Sequence, residues 1–173
     1  MNYLPALRAH RRAFNVAAVL VCAALLAYAY YTQFQLGLEP CPLCIFQRVA
    51  VAALGVSFAI AAVVPSSARG TGRVAAILIG VVALAGAGVA ARHLYIQSMP
   101  EGSVPACGAT LGYLMDVFSV TEVLRKVLTG SGECAKVTWT FSGLSMPGWV
   151  MIWLLLLGSA GTLANWRTAA PRA

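Results

Sequence analysis

Long apolar runs separated by short polar segments dominate the pattern of this 173-residue chain. A helix needs about 20 mostly apolar residues to cross a bilayer, and backbone in lipid has to satisfy its own hydrogen bonds. Each run therefore predicts a transmembrane helix, at about 14–34, 42–64, 74–96 and 147–166. A soluble protein is disfavoured, because four such runs exceed what one small core can bury.

These runs predict an all-α membrane protein, a four-transmembrane-helix bundle forming a single domain over residues 1–173. Loops at about 35–41 and 97–146 connect the helices on one side of the membrane, and a short loop connects them on the other.

A short amphipathic helix is predicted inside the long loop. Ser119 to Glu122 match a capping box, and Gly130 can end the helix. Apolar residues follow the helical period on one face: they are Val120, Val123, Leu124, Val127 and Leu128. This face covers either the outer membrane surface or the protein's own helices, since periodicity does not tell which.

The composition agrees with a membrane protein: 60% of the residues are hydrophobic and 10% are charged, against about 25% charged residues in soluble domains. The net charge of +7 does not indicate nucleic-acid binding, because the charges are sorted by side. One side carries basic residues and no acid: Arg8, Arg11, Arg12, Arg69, Arg73, Arg167 and Arg172. The other carries all five acids: Glu39, Glu101, Asp116, Glu122 and Glu133. Basic residues mark the cytoplasmic side, so both termini are predicted inside, with the arginines close to anionic lipid.

A cleaved signal peptide is an alternative interpretation of the first apolar run. It has a basic start, and Ala27-Tyr28-Ala29 resembles a cleavage site. However, the uncharged run continues past this point through Phe34, which favours a retained helix.

The candidate chemistry is carried by four of the five cysteines. Cys22 falls in the middle of the first helix and is expected to be inert core, since buried cysteine behaves as a small hydrophobe. The other four lie on the outer side or at its boundary. That compartment is oxidising, so their position favours disulfide chemistry.

Cys41 and Cys44 open the second helix, with Pro42 at a favourable first helical position. A helix N-terminus stabilises a thiolate, and Arg48 lies one turn beyond Cys44 on the same face. The pair is compatible with a metal knuckle, two core cysteines or a redox centre. Arg48 is either a cation that holds a polar group or one that extends to lipid head groups. His93 is most simply a structurally bonded or exposed histidine.

Cys107 and Cys134 are flanked by Gly108 and Gly132, so both are expected to be accessible. A structural bridge and a redox-active pair remain open for them. A zinc site of four cysteines is disfavoured, because Cys107 and Cys134 are not closely spaced and the compartment is oxidising. Covalent haem requires a histidine directly after the Cys-x-x-Cys motif, where this chain has Ile45. No metal site is expected.

In combination these features resemble the DsbB family of bacterial disulfide bond formation proteins. The resemblance rests on four helices, on "PCPLC" at the start of the second, on the arginine four residues after it and on the distant cysteine pair. The segment "GECAKVTWTFSGLSMPGW", from Gly132 to Trp149, is also similar to that family. The resemblance covers nearly the whole chain.

The resemblance implies an enzyme of the bacterial inner membrane with its cysteines on the periplasmic side. A reduced DsbA-type thiol oxidase would attack a Cys107–Cys134 disulfide and form a mixed disulfide with Cys107. Electrons would pass through a transient Cys41–Cys134 bond to Cys41 and Cys44, and Cys44 would reduce a quinone, either ubiquinone or menaquinone.

In this family Arg48 would hold the quinone oxygen, with His93 nearby. Gln47 stands where some relatives carry an acid, which puts a proton-transfer role for this position in doubt. The competing hypotheses are a non-enzymatic membrane protein with structural disulfides and a metal-binding membrane protein.

Overall fold

Four long helices form the body of the protein in a computed structural model that describes residues 3–64, 70–100, 111–130 and 132–167. They are α1 (Tyr3–Leu36), α2 (Pro42–Val63), α3 (Thr71–Gln97) and α7 (Met146–Arg167). Each contains a span long and apolar enough to cross a membrane. The all-α, four-helix prediction is confirmed, and single-domain folding of residues 1–173 stays a prediction.

The helix ends follow local chemistry. α2 begins at Pro42, whose missing N–H costs nothing in the first turn. α1 ends at Leu36, just before Gly37, whose φ of 64° is a left-handed conformation that terminates helices. α1 also begins well before the predicted residue 14, because bilayer thickness limits the apolar run and not the helix that contains it.

The bundle core lies midway along the helices, where α3 packs on α2 and α7, and α1 packs on α2. Leu54, Phe58, Ile79 and Leu154 are almost fully buried there. Cys22 belongs to the same cluster and is 1% exposed, in agreement with its assignment to the core.

The end of the bundle where α2 finishes, the closed end, is held by polar contacts. Arg11 donates hydrogen bonds to the carbonyls of Ala61 and Val64, at 3.0 and 2.9 Å. These carbonyls lie in the last turn of α2 and at its C-cap, where helical N–H donors are lacking. Asn15 and Asn165 exchange amide hydrogen bonds of 3.2 and 3.1 Å and thereby join α1 to α7.

The segment between α3 and α7 is more structured than the sequence predicted. It contains α4 (Leu111–Val117), α5 (Val120–Thr129), α6 (Gly132–Ala135), β1 (Thr140–Phe141) and β2 (Leu144–Ser145). β1 and β2 pair antiparallel through a two-residue turn, with φ of 51° at Ser142 and 80° at Gly143. Positive φ at both positions is typical of the tight turns that join hairpin strands.

The predicted amphipathic helix is α5, and its described apolar side chains cover the protein itself. Val123 and Val127 are buried against Leu43 of α2 and Ile96 of α3. Gly130 ends the helix with φ of 92°, and a Cβ there would lie 2.5 Å from Cδ1 of Ile96. Packing on the protein is therefore the alternative that holds for these two valines.

Candidate redox site

Cys41 and Cys44 lie at the N-terminus of α2, at the end of the bundle opposite the closed end, which we call the cysteine end. Cys41 is the N-cap residue, and Cys44 follows within the first turn. Their sulfur atoms are 3.4 Å apart. Cys41 is 6% exposed, whereas Cys44 is only half-buried. The two-residue spacing thus leaves one thiol inside the protein and one at an open face.

Arg48 lies one turn beyond Cys44, and its side chain is hydrogen-bonded to α1. It donates one hydrogen bond to the carbonyl of Ala29, at 2.9 Å, and another to the side chain of Gln33. Its guanidinium carbon also lies 5.0 Å from the centre of the Tyr30 ring, a cation–π distance. Arg48 therefore holds a defined position between α1 and α2, which differs from a side chain that only extends toward lipid head groups.

His93 is 2% exposed and connects three elements. Its Nδ1 lies 2.9 Å from the side-chain nitrogen of Gln47 on α2. Its Nε2 lies 3.0 Å from the carbonyl oxygen of Cys134 on α6 and 3.8 Å from the sulfur of Cys41. His93 is thus the structurally bonded histidine that the sequence favoured, and it also contacts the candidate redox pair.

Cys134 lies on the short helix α6, which places it beside Cys41. It is 1% exposed and belongs to the same buried cluster as Cys41, Leu43 and Ile96. The hydrogen bond from His93 to its main chain fixes α6 against α2 and α3. Cys107 lies outside the described residues, so its pairing with Cys134 stays a prediction.

A cavity of about 370 Å³ opens beside Cys44 and Arg48. This is within the size range of small-molecule pockets, about 300–1,000 Å³. Its wall is mostly apolar and is formed by α1, α2 and their connection, by α3 and α7, and by the segment from α6 onward. Aromatic residues make up much of this wall: they are Tyr28, Trp139, Phe141, Trp149 and Trp153.

The aromatic side of the cavity is built by the hairpin. The Trp139 ring lies 6.1 Å from that of Tyr28 and 6.2 Å from that of Phe141, which in turn lies 5.9 Å from Trp149. The indole N–H of Trp149 donates to the carbonyl of Phe141 at 3.0 Å. The start of α7 therefore positions β1, and β1 places aromatic rings opposite α1.

The structure brings most of the predicted site residues to one end of the bundle: Cys41, Cys44, Arg48, His93 and Cys134. Sequence reasoning missed the contact of Gln47 with His93, because no local pattern reports how α2 and α3 align. It also missed the hairpin, for which the Ser142-Gly143 pair was an available turn signal.

Four apolar helices indicate a multi-pass membrane protein, and a Cys-x-x-Cys pair beside a cavity is typical of an oxidoreductase site. The family model described as "Disulfide bond formation protein DsbB" matches residues 11–164. The chain belongs to the DsbB family and is therefore a disulfide-forming oxidoreductase.

Three curated relatives, each named "Disulfide bond formation protein B", illustrate the similarity. The protein of Xylella fastidiosa strain Temecula1 is 44% identical over 156 residues, covering 90% of both chains. That of Xanthomonas oryzae pv. oryzae strain MAFF 311018 is 48% identical over 136 residues, covering 79% of both. That of Xanthomonas campestris pv. campestris strain 8004 is 43% identical over 153 residues, covering 88% of this chain and 89% of the relative.

Proposed function

We propose that this protein reoxidises a periplasmic DsbA-type dithiol oxidase and passes the two electrons to a membrane quinone. The observation that carries this proposal is the position of Cys44. Its thiol lies 3.4 Å from Cys41 and also lines the cavity that Arg48 borders. One cysteine of the pair is thus placed to exchange disulfides, and the other to meet a lipid-soluble oxidant.

The cavity fits a quinone ring in size and chemistry. Its apolar and aromatic wall suits a flat ring with an isoprenoid tail, and ubiquinone and menaquinone share these properties. A quinone supplies an acceptor for two electrons and two protons. The guanidinium of Arg48 is oriented by Ala29 and Gln33, so its N–H groups can bind a quinone oxygen.

The thiol steps transfer one electron pair from the partner to α2. A partner thiolate attacks Cys107 of a Cys107–Cys134 disulfide, and the partner's second thiolate then resolves the mixed disulfide. The partner leaves as a disulfide, and Cys107 and Cys134 become thiols. Thiol–disulfide exchange proceeds by such thiolate attacks.

The Cys134 thiolate next attacks Cys41 of a Cys41–Cys44 disulfide, and Cys44 leaves as a thiolate. The Cys107 thiolate resolves the Cys41–Cys134 bond, which restores the Cys107–Cys134 disulfide and leaves α2 with two thiols. The shared buried cluster of Cys41 and Cys134 supports this exchange, since little movement would join them. His93 positions the exchange by holding the main chain of Cys134 near Cys41.

The orientation we propose has the cysteine end at the periplasmic face of the inner membrane and both termini in the cytoplasm. The arginines near the start of α1 and of α3, Arg11 and Arg73, lie toward the closed end, whereas Glu39 and Glu133 border the cavity. The cytoplasmic side of membrane proteins is enriched in such basic residues.

The test is quinone reduction by the purified chain supplied with a reduced periplasmic dithiol oxidase. We expect turnover with the wild-type chain and none with Cys44→Ser. Cys22→Ala is the matched control and should remain active, because Cys22 lies in the bundle core. Turnover by a folded Cys44→Ser variant at the wild-type rate would contradict the proposal.

A further inference from the structure

Three groups that bind soft metal ions converge beside the cavity. They are the sulfur atoms of Cys41 and Cys44 and a ring nitrogen of His93, all within 4.8 Å of one another. α2 supplies both thiols, and α3 supplies the imidazole. This donor set differs from the four-cysteine zinc site that the sequence disfavoured, because its third member is a histidine 52 residues from Cys41.

The two separations that involve the Cys41 sulfur are close to those of a tetrahedral metal site, and the third, between Cys44 and His93, is at most 4.8 Å. With Zn–S bonds of about 2.3 Å and Zn–N bonds of about 2.0–2.1 Å, a tetrahedron has S···S edges of about 3.8 Å and S···N edges of about 3.6 Å. The two sulfur atoms are 3.4 Å apart, and the Cys41 sulfur lies 3.8 Å from Nε2 of His93. Shifts of about 0.2–0.4 Å would match these two edges.

Gln47 supports the histidine of this donor set. Its side-chain amide lies 2.9 Å from Nδ1 of His93, and rotation of the amide group lets its oxygen accept an N–H from Nδ1. Nε2 then presents its lone pair toward Cys41. Metal-binding histidines commonly donate their other ring N–H to such an acceptor, which fixes the tautomer and the ring orientation.

We propose that the reduced Cys41–Cys44 pair and His93 form a binding site for a thiophilic divalent cation of the Zn²⁺ or Cd²⁺ class. Two thiols lose their protons to solvent as two metal–thiolate bonds form, Nε2 of His93 provides the third bond, and no group is oxidised or reduced. The fourth position is open to water or to another protein donor. The cation displaces the hydrogen bond between His93 and the Cys134 carbonyl, which loosens α6.

The site exists only while Cys41 and Cys44 are reduced, because a disulfide offers no thiolate to the cation. A bound cation in turn withholds both thiols from oxidation. Metal binding goes beyond the proposed function and does not depend on it, whereas inhibition of quinone reduction by the cation rests on that function.

Co²⁺ is the probe, since its absorption spectrum reports both thiolate bonds and tetrahedral geometry. The full-length chain is reduced, freed of reductant without air and titrated with Co²⁺. We expect one ion per reduced chain with thiolate-to-cobalt charge transfer, and none in the chain with its disulfides formed. Cys22→Ala should bind as the wild type does, and Cys41→Ser and Cys44→Ser should lose most of the charge-transfer signal.

His93 separates this site from one made of cysteines alone. His93→Gln should weaken Co²⁺ binding at least about tenfold, the lower end of the loss seen when even an outer partner of a ligand is removed. Gln47→Leu, a second and milder variant, should weaken it by about 10- to 100-fold. Both are measured in the Cys107→Ser/Cys134→Ser chain, which has no second dithiol.

Two results would overturn the proposal. One is unchanged Co²⁺ affinity and spectrum in both the His93→Gln and Gln47→Leu chains. The other is loss of Co²⁺ binding in the Cys107→Ser/Cys134→Ser chain, which would assign the ion to a four-cysteine site. The spectra are recorded without quinone or partner, so a failure of the quinone assay leaves this test intact.

Discussion

The closed end and the cysteine end of the bundle both bury polar groups, but they satisfy them differently. At the closed end, Arg11 binds carbonyls of α2 and the amides of Asn15 and Asn165 bind each other. At the cysteine end, the thiols meet each other and His93 at 3.4 and 3.8 Å. Sulfur is a weak hydrogen-bonding atom, so these contacts hold little energy.

The thiols that we propose to react are therefore distinct from the side chains whose hydrogen bonds stabilise the bundle. Hydrogen bonds of amide, imidazole and guanidinium groups fix the helices at both ends, since Arg48 and His93 also make them at the cysteine end. The thiols there make only weak contacts, so the bond changes that we propose at Cys41 and Cys44 would disturb little of the hydrogen bonding. The following predictions test this contrast, beginning with the largest effect.

Cys44 at the cavity and Cys22 in the bundle core should respond oppositely to substitution. Cys44→Ser is expected to lower the rate of quinone reduction at least about a thousandfold, the scale of losing an acting nucleophile. Cys22→Ala should keep the rate and change only the thermal midpoint. Steady-state assays measure the rate and thermal unfolding measures the midpoint, and a slow Cys22→Ala chain would show that the core also takes part in turnover.

Arg48 at the cavity and Arg11 at the closed end should separate binding from folding. Hydrogen bonds to charged groups contribute about 1.5–3 kcal/mol, so Arg48→Ala should raise the KM for quinone by about 10- to 150-fold. Arg11→Ala should leave that KM unchanged and lower the thermal midpoint, because it frees carbonyls of α2. Equal KM values for Arg48→Ala and the wild type would remove Arg48 from the cavity site.

The asparagine pair should behave as one unit. Asn15 and Asn165 are both fully buried, so Asn15→Leu leaves a buried amide partly unpaired and should destabilise the chain by about 1–3 kcal/mol. Asn15→Leu/Asn165→Leu should cost less than the sum of the single changes, which a double-mutant cycle measures. Additive costs would mean that the two amides do not depend on each other. Activity per folded molecule should stay unchanged throughout.

The smallest expected effect concerns the docking of α5. Gly130 and Gly143 both have positive φ, but only a Cβ at Gly130 would meet Ile96, and Gly143 has open space. Gly143→Ala should cost about 1–2 kcal/mol for its backbone, and Gly130→Ala should cost more because of the clash. Thermal unfolding measures both costs, and equal losses of stability in the two variants would exclude a tight contact with Ile96.

The fold was predictable because long apolar runs report helices without knowledge of their partners. The same reasoning predicted that α2 begins at Pro42. It also selected Cys41, Cys44 and Arg48 as candidate site residues, since they are neighbours at the start of one helix. It did not find that Gln47 meets His93, because that contact depends on how α2 aligns with α3. Likewise, the spacing of apolar residues predicted which face of α5 is apolar, but not which residues of the protein cover that face.

The hydrogen bond from His93 to the carbonyl of Cys134 has a further consequence. Attachment of α6 uses the main chain of Cys134, whereas the exchange with Cys41 that we propose would use its side chain. Holding and reacting are therefore separate tasks of one residue. Cys134→Ser should remove the second while keeping the first, so such a chain would remain correctly assembled and yet lack the Cys107–Cys134 disulfide that we propose the partner attacks. It would separate assembly of the cysteine end from turnover.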